Sequence, residues 1–380
     1  MNKNDSLISI LEFGSTNLKL SIYNNQILNQ SFFYEEKIEY TKNKNLIENK
    51  IFNLILKAEK DLGQHLNEML LIMDSSCIYS LDLSMQKFYD KKIFTLKDLD
   101  YLINECEQIV KTHNKQDNIL HIIKSNINFD DQIIENLDNF SQEVYKAQVE
   151  LKFIMINKKN YDEIKKLFLK KHISLQNIYC ASYVKALGII NKLGISDYTS
   201  FIDIGFKKSS ISIFKDKKLL YLNNIHIGGD HVTKDISKVL NLDYRKAEAE
   251  KLKFTKYYKY KNKLEKNDEL LKNIINSRLE EIIELLFFNC PILKKTFVKN
   301  GLKLYFIGNG SKVLSENMLS FGQEFNFINE MLIIDENKKD CCDSALKYSE
   351  NNKKAHVPNH NFNIENKGFF EKLFDYLSQK

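Results

Sequence analysis

One short sequence pattern occurs twice in this chain, once near its start and once past its middle. Glu12–Ile22 aligns without a gap on Asp203–Ile213. Each copy has an acid, an apolar residue and a glycine, followed by a polar turn and then by alternating apolar and polar residues. Such alternation predicts a β-strand, and the glycine predicts a tight turn before it. The chain is therefore expected to hold two strand-turn-strand units in two similar domains that face one another.

The second copy begins with a short apolar run that contains an acid. Phe201, Ile202 and Ile204 surround Asp203, and the run ends at Gly205. Runs of this kind are typical of strands buried inside an α/β sheet. A buried carboxylate is costly unless it meets a cation, a metal or hydrogen-bond donors. Two facing turns of this type can hold the phosphates of a nucleotide on backbone N–H groups, with the acids near a metal ion.

Length and composition narrow the class of protein. A chain of 380 residues is too long for one ordinary core, so two or more lobes are expected. The net charge of +6 is spread along the chain and does not by itself predict nucleic-acid binding. The six cysteines form no Cys-x-x-Cys pair, which favours free thiols in a reducing cytosol. Without an apolar signal region or an apolar run of roughly 20 residues, neither export nor a membrane span is expected.

Periodicity predicts the elements between the two hairpins and after them. The predicted helices are 45–62, 161–171, 182–193, 243–266 and 268–288, and the predicted strands include 69–73 and 175–179. Strands at 77–85, 118–123 and 147–156, with a helix that begins at the capping box Thr95–Asp98, predict a small β-α-β insertion. Asp230 is predicted to cap a helix after the Gly228-Gly229 turn, and Ser311 to begin another.

The last 14 residues can be interpreted without any comparison. At about 100° per residue, one helical face collects the apolar residues Phe369, Phe370, Leu373, Phe374, Tyr376 and Leu377. The segment is too short to cross a bilayer, and it follows the Asn-rich polar stretch 350–366, which is predicted to be a tether. It is expected to lie in a membrane interface. The alternative is that it docks on the protein's own core or on a partner.

Four motifs then carry a resemblance to a known family. Gly228–Ile236 resembles Gly-Gly-x-x-Val-Thr-x-Asp-Ile, and Ala247–Lys253 resembles an Ala-Glu-x-x-Lys segment. Ser277–Ile282 resembles an Arg-x-Glu-Glu helix, and Gly368–Phe374 resembles a terminal amphipathic anchor. In this order, after the paired hairpins, they resemble the FtsA family of bacterial cell-division proteins, within the superfamily of actin and the heat-shock chaperones.

The resemblance implies an α/β protein with an actin-like, ribonuclease H-like fold in two lobes and an FtsA-type inserted subdomain in the first lobe. The implied domains are a first lobe at 1–75 and 154–196, an inserted subdomain at 76–153, a second lobe at 197–225 and 286–349, a helical, partner-binding subdomain at 226–285, a flexible tether at 350–366 and a membrane-targeting helix at 367–380.

The resemblance also implies ATP and Mg²⁺ as cofactors. Glu12 and Asp203 are the implied metal-site acids, which the resemblance places near Mg²⁺ with water between them and the ion. The implied nucleotide contacts are Gly14, Ser15, Thr16, Asn17, Lys19, Asp203, Gly205, Lys207, Lys208, Ser209, Gly228, Gly229, Glu250, Lys253, Gly308, Asn309, Gly310 and Ser311. For Lys19, Glu250 and Lys253 a solvated surface position is the open alternative.

Two departures from the family pattern bear on activity. Glu12 stands where the family has Asp, and Phe206 and Lys207 replace two glycines of the second turn. Because glycines let the backbone approach phosphate closely, these changes tighten or reshape the pocket. At most weak ATPase activity is expected, and no catalytic residue is assigned.

The resemblance finally implies partners and a location. These are the C-terminal tail of FtsZ, other copies of the chain, inner-membrane lipid and other division proteins, at the cytoplasmic face of the membrane. The basic run Lys251–Lys266, with Tyr257, Tyr258 and Tyr260, either docks the FtsZ tail or is a solvated face, and nucleic acid is the least favoured ligand. Two other functions stay open: a small-molecule kinase of the same superfamily and a pilus-assembly-type actin-like scaffold.

Overall fold

The computed structural model of the chain describes residues 7–24, 31–38, 44–134, 140–257, 266–288, 290, 301–314 and 327–354. The amphipathic segment 367–380 with its membrane residues Phe369, Phe370, Leu373, Phe374 and Leu377 lies outside the described residues. The same holds for most of the predicted tether and for Tyr258 and Tyr260.

The described residues form fourteen strands, eight α-helices and a short 3₁₀ helix. The strands are β1 Leu7–Phe13, β2 Asn17–Asn24, β3 Ser31–Lys37, β4 Glu68–Met73, β5 Ile78–Thr95, β6 Asp117–Phe129, β7 Gln132–Ile133, β8 Ser141–Asn157, β9 Ser174–Cys180, β10 Thr199–Ile204, β11 Ser209–Lys215, β12 Lys218–Ile225, β13 Leu302–Ile307 and β14 Ile328–Ile333. The helices are α1 Lys44–Leu62, α2 Leu96–His113, α3 Lys158–Leu169, α4 Ala181–Leu193, α5 Gly229–Val239, α6 Tyr244–Tyr257, α7 Lys266–Phe288 and α8 Asp340–Lys354, and the 3₁₀ helix is Asn309–Val313.

Two five-stranded sheets share one topology. Their strand orders are β3-β2-β1-β4-β9 and β12-β11-β10-β13-β14. In each sheet the first three strands of the sequence pair antiparallel, and the two later strands add in parallel. Glu12 lies opposite Lys19 in the first hairpin, and Asp203 lies opposite Ser210 in the second. These are the positions that the gapless alignment pairs, so the predicted duplication is confirmed.

Helices α4 and α8 lie between the inner faces of the two sheets. They continue the chain after β9 and β14, the last strands of the two sheets, and they pack directly on each other. The central core joins residues of both sheets and both helices, among them Ile10, Ile72, Val184, Ala186, Phe201, Phe214, Tyr305, Cys342 and Ala345. Helix α8 therefore follows the second sheet in sequence but completes a core that belongs to both sheets.

A third sheet is built by the segment inserted after β4. Its strand order is β5-β8-β6-β7, all antiparallel, with α2 packed on one face. The capping box at the start of α2 is present: Asp98 accepts hydrogen bonds from the backbone N–H and the hydroxyl of Thr95, at 2.9 and 2.7 Å. The strands are longer than predicted. Their ends carry polar residues on an exposed face of the sheet, and the prediction used only runs of apolar residues.

A buried histidine joins the inserted sheet to the central helices. The backbone N–H of Cys180 donates to Nε2 of His121 at 2.9 Å, so Nδ1 carries the proton and donates to the hydroxyl of Tyr348 at 2.9 Å. The rings of Tyr179 and Tyr183 lie 5.5 and 5.1 Å from the imidazole. Complete burial lowers the pKa of His121 to about 3, so it is a neutral structural side chain at physiological pH.

Several predicted boundaries change. Strands β3, β12 and β14 extend the hairpins into full sheets, and α8 runs to Lys354, into the segment predicted as a tether. Asp230 does not cap α5: Gly228 holds the cap position, and Asp230 lies in the first turn. Ser311 lies inside the 3₁₀ helix rather than at the start of an α-helix. Within the described residues, no helix has the length and apolar character needed to cross a bilayer.

Candidate functional site

The two predicted turns close with the same hydrogen bond. The N–H of Gly14 donates to the carbonyl of Asn17 at 3.0 Å, and the N–H of Gly205 donates to the carbonyl of Lys208 at 2.9 Å. A Cβ added at either glycine would lie 2.8 or 2.9 Å from that carbonyl oxygen. Both glycines are therefore required by the turn itself, whatever the turn binds.

The first turn of α5 rests on the second hairpin turn. The N–H groups of Gly229 and Asp230 donate to the carbonyls of Gly205 and Phe206 at 2.9 and 2.8 Å. The first N–H groups of a helix have no partner inside the helix and often bind anions. Here the N–H groups of Gly229 and Asp230 bind the hairpin turn instead, so these two groups support the candidate site.

A network of side chains surrounds the carboxylate of Asp230, which is 3% exposed. Lys207 and Lys234 pair with it at 2.8 and 2.7 Å, and the hydroxyl of Tyr244 donates to it at 2.6 Å. Burial alone raises the pKa of Asp230, but hydrogen bonds from Lys207, Lys234 and Tyr244 outweigh it and hold this pKa well below its usual range. Lys207 is thus partly neutralised, and it is less available to a phosphate than its position in the turn predicts.

Helix α6 presents a different Glu and Lys from the predicted pair. Glu250 and Lys253 pair with each other on the outer face at 2.6 Å and are 36% and 59% exposed. Lys251 is buried instead, and its ammonium donates to the carbonyl of Gly229 at 3.0 Å and pairs with Glu248 at 2.7 Å. The predicted nucleotide contacts Glu250 and Lys253 therefore lie on the exposed face of α6, and Lys251 lies on the face that packs on α5.

The two acids predicted to hold a metal ion lie in one cluster with two lysines. Glu12 pairs with Lys19 at 3.1 Å, and Asp203 pairs with Lys185 at 2.7 Å. Lys185 also pairs with Glu336 at 3.1 Å. Burial lowers the pKa of Lys185, but Asp203 and Glu336 outweigh it and hold this pKa well above its usual value, with a further contribution from Glu12. We call Glu12, Lys19, Lys185, Asp203 and Glu336 the lysine–carboxylate cluster.

This arrangement does not fit a Mg²⁺ ion that Glu12 and Asp203 ligate directly. Mg²⁺ requires oxygen ligands at about 2.0–2.1 Å in near-octahedral geometry. Each of the two carboxylates already holds an ammonium group, and the described residues contain no group of three or more His, Cys, Asp or Glu side chains that could hold a metal. Lys19, which is predicted as a phosphate contact, has its charge paired with Glu12 in the same way.

The turn after β13 closes over the same cluster. The N–H of Gly308 donates to Glu336 at 2.7 Å. Gly308 has a φ of 85°, and a Cβ there would lie 2.2 Å from Oδ1 of Asp203. A Cβ at Gly310 would lie 2.6 Å from the carbonyl oxygen of Ile204. The glycines at 308 and 310, which flank Asn309, thus allow two backbone segments to meet at Asp203.

Two predicted hydroxyl ligands and one predicted amide have other partners. Ser209 is buried and donates to the carbonyl of Ile227 at 2.8 Å, and Ser311 is buried and donates to the carbonyl of Gly308 at 2.7 Å. The amide of Asn17 donates to Glu35 at 2.9 Å. These three side chains make structural contacts within the protein, and their contact with a nucleotide stays a prediction. Ser15 and Thr16 stay half-buried in the first turn.

Lys208 differs from every other lysine of the site. Its ammonium nitrogen is buried and has no hydrogen-bond partner among the described residues. The nearest carboxylate oxygen belongs to Asp74, at 3.7 Å, in the first lobe next to the start of α4. Burial lowers the pKa of Lys208 to about 7. The ion pair with Asp74 at 3.7 Å is too long for a hydrogen bond, and a buried donor without a hydrogen bond is costly, so this ammonium is suited to an anion that enters the site.

The ring of Phe206 takes the place of a glycine of the family pattern. It lies beneath two ammonium groups, those of Lys207 and Lys251, which are 5.2 and 5.6 Å from its centre. Such contacts stabilise a cation on the face of the ring. The substitution therefore links the second turn to α5 and α6, and it reshapes the site instead of leaving an open glycine loop.

Sequence comparisons agree with this geometry. The family model described as Cell division protein FtsA matches residues 200–285. The Cell division protein FtsA of Helicobacter pylori (strain ATCC 700392 / 26695) is 22% identical over 167 residues, which are 43% of this chain and 32% of the relative. That of Rhizobium meliloti (strain 1021) is 24% identical over 137 residues, 31% of this chain and 30% of the relative. The resemblance to FtsA is confirmed. The matched part spans about a third of the length of these relatives.

A side-chain contact joins two of the motifs. Arg278 of the Arg-x-Glu-Glu motif donates two hydrogen bonds to Asp235 of the Gly-Gly motif, at 2.5 and 2.9 Å. Both residues lie inside the FtsA match. Paired bonds of this type fix the orientation of both groups. The two motifs therefore form one structural unit that holds α7 against α5.

Solved structures confirm the fold. A PilM-PilN type IV pilus biogenesis complex superposes with a TM-score of 0.59 at 14% identity, over 90% of each chain. MreB5 of Spiroplasma citri bound to ADP superposes with a TM-score of 0.51 at 12% identity, over 92% of this chain and 98% of that one. At these identities the likeness concerns the fold alone. The FtsA-like chain thus has an actin-like α/β fold.

Proposed function

We propose that this chain is an actin-like cell-division protein that assembles on the cytoplasmic face of the inner membrane and tethers FtsZ filaments at the division septum. The FtsA match over residues 200–285 carries the proposal. The unit held by Arg278 and Asp235 lies in this match and supports it. The amphipathic residues of 367–380 supply a membrane contact, since the apolar face is suited to a lipid interface.

Binding of ATP between the lobes is the second part of the proposal. The hairpin turns and strand ends of both sheets meet in one region. This region contains the turns at Gly14 and Gly205, the ammonium of Lys208 and the turn at Gly308. Lys208 offers the one buried ammonium of the described site that has no hydrogen-bond partner. We propose that it donates to a phosphate, while Lys251, whose ammonium is already held by Gly229 and Glu248, supports the Gly-Gly turn.

The test of the tethering function is co-sedimentation with liposomes in the presence and absence of FtsZ. The full chain is expected to pellet with liposomes and to bring FtsZ with it, while a form ending at Asn366 leaves FtsZ in the supernatant. A Phe370→Glu/Phe374→Glu variant keeps the full length and is expected to behave like the short form, because two charges on the apolar face oppose insertion. Both variants must still bind a peptide of the FtsZ tail in solution.

Two outcomes contradict the tethering function. If a peptide of the FtsZ tail does not bind the full chain, the link to FtsZ is contradicted, and an actin-like scaffold with a different partner is favoured. Liposome binding that is unchanged in both tail variants contradicts the membrane role of residues 367–380.

Lys208 gives the nucleotide site a pH dependence. With a pKa of about 7, the free lysine is mostly charged at pH 6 and mostly neutral at pH 8. A bound phosphate favours the charged form, so affinity for ATP is expected to fall about tenfold from pH 6 to pH 8. Fluorescence titration with a labelled ATP analogue measures this change.

The terminal phosphate of ATP also titrates near this range, so Lys208→Met provides the baseline. The variant is expected to bind more weakly at pH 6 and to lose the excess pH dependence, whereas Lys238→Met, on the exposed end of α5, keeps it. A wild-type pH profile that coincides with that of Lys208→Met shows that Lys208 does not meet the phosphate.

A further inference from the structure

Lys185 connects the two lobes at the position where the sequence predicts a metal ion. It lies in the second turn of α4, which follows the first sheet, while Asp203 ends β10 of the second sheet and Glu336 follows β14. Its ammonium is 2.7 Å from Oδ2 of Asp203 and 3.1 Å from Oε1 of Glu336. The three side chains are only 11%, 13% and 18% exposed.

The remaining oxygens of the two carboxylates are also enclosed. The second oxygen of Glu336 accepts the N–H of Gly308 at 2.7 Å. Oδ1 of Asp203 lies against the backbone of Gly308, where an added Cβ would be only 2.2 Å away. A metal ion that approached Asp203 would therefore meet a backbone segment on one side and an ammonium group on the other. Two adjacent cations repel strongly in a poorly solvated site.

The chemistry of the cluster is that of a cation site that is already filled. Burial raises the pKa of Glu336, and the charge of Asp203 raises it further, whereas Lys185 opposes both effects. Two neighbouring buried carboxylates require a positive charge between them, because neither has bulk water to stabilise it. A divalent ion is one solution to this requirement, and a lysine from the facing lobe is another.

We propose that the ammonium of Lys185 permanently takes the place of a divalent cation between Asp203 and Glu336. The proposed nucleotide site then works without a metal ion on Asp203, and the two lobes are tied together whether or not nucleotide is bound. The inference rests on the proposed function only for its nucleotide part, since metal binding can be measured with the metal alone.

The first experiment titrates the full chain with Mn²⁺ and follows the free ion by electron paramagnetic resonance. Wild-type protein and its Asp203→Asn variant are expected to give the same binding curve. Lys185→Met removes the ammonium and keeps a similar volume, and it is expected to gain one Mn²⁺ site, at least tenfold tighter than any wild-type binding. The gain is expected to disappear in Lys185→Met/Asp203→Asn. Lys192→Met, an exposed lysine of the same helix, should match the wild type.

The second experiment does not require any variant at Lys185 to fold. Labelled ATP is titrated into the wild-type chain in excess EDTA and in excess Mg²⁺, and the affinities are expected to agree within about twofold. A loss of tenfold or more in EDTA overturns the proposal. So does a wild-type Mn²⁺ site that Asp203→Asn removes, or a folded Lys185→Met protein that gains no site. Failure to bind ATP under either condition overturns the proposed nucleotide function instead, and the Mn²⁺ titration still decides the role of Lys185.

Discussion

Replacing Gly188 with alanine is expected to destabilise the protein by about 2 kcal/mol, although alanine is the better helix former. Gly188 lies in the middle of α4, where this helix meets α8. A Cβ at this position would be 2.0 Å from Oγ and 2.6 Å from Cβ of Ser344. Since α4 and α8 fill the space between the two sheets, neither helix can retreat without opening the central core.

A second substitution tests whether this overlap is the cause. Ser344→Gly removes both atoms that the new methyl group would meet, so Gly188→Ala/Ser344→Gly is expected to be more stable than the sum of the two single effects predicts. Denaturant unfolding of the four proteins gives the coupling free energy, which is expected to favour the double variant by at least about 1 kcal/mol. Additive effects would mean that α4 and α8 adjust easily, and that the contact does not hold the lobes together.

The second large effect is expected at the Gly-Gly turn, and only at its first residue. A Cβ at Gly228 would lie 2.5, 2.9 and 2.9 Å from the carbonyl oxygen of Gly205, the nitrogen of Lys208 and the carbonyl oxygen of Phe206. All three are backbone atoms of the hairpin turn, so the turn must move as a whole. Gly228→Ala is expected to cost about 3 kcal/mol of unfolding free energy and to weaken ATP binding at least tenfold.

Gly229 is the matched control for this substitution. A Cβ there would have its nearest neighbour, the ammonium of Lys251, at 3.6 Å, which is an ordinary contact. Gly229→Ala is therefore expected to unfold within about 0.5 kcal/mol of the wild type, because alanine suits the first turn of a helix. Equal damage from both substitutions would show that the turn is sensitive to any side chain. No effect from either would show that the close approach to Gly205 does not constrain the site.

Most helices and the two hairpins could be predicted because they depend on patterns of neighbouring residues in the sequence. The gapless repeat predicts the two hairpins, and the spacing of apolar residues predicts α1, α3 and α4 to within a few residues. The inserted strands were harder to predict. Strand β5 runs from Ile78 to Thr95 with one face exposed, and its pairing with β8 shifts register between Phe88 and Lys92, where Lys91 has a positive φ. Polar faces and register shifts of this kind leave no simple period in a sequence.

The two Glu-Lys pairs of α6 lie on different faces of the helix for a geometric reason. The segment Ala247–Lys253 contains Glu-x-x-Lys twice, two residues apart, and two residues rotate the side chain by about 200° around a helix. The buried residues Ala247 and Phe254 indicate which face packs inward, because Lys251 is spaced four and three residues from them and lies on the same face. No sequence pattern of this kind distinguishes Lys185 from the other lysines. In a chain this rich in lysine, only the tertiary fold shows which lysine meets Asp203 and Glu336.

The packing of α8 on α4 affects how force passes through the protein. Helix α8 ends at Lys354, after which the chain continues toward the segment proposed to bind lipid. Tension applied from that end acts first on α8, and the hydroxyl of Tyr23, which donates to Asp343 at 2.6 Å, anchors α8 to the first sheet. A pull on a membrane-bound tail would therefore load the packing of α8 on α4, so that force on the tail reaches the core that the two sheets share.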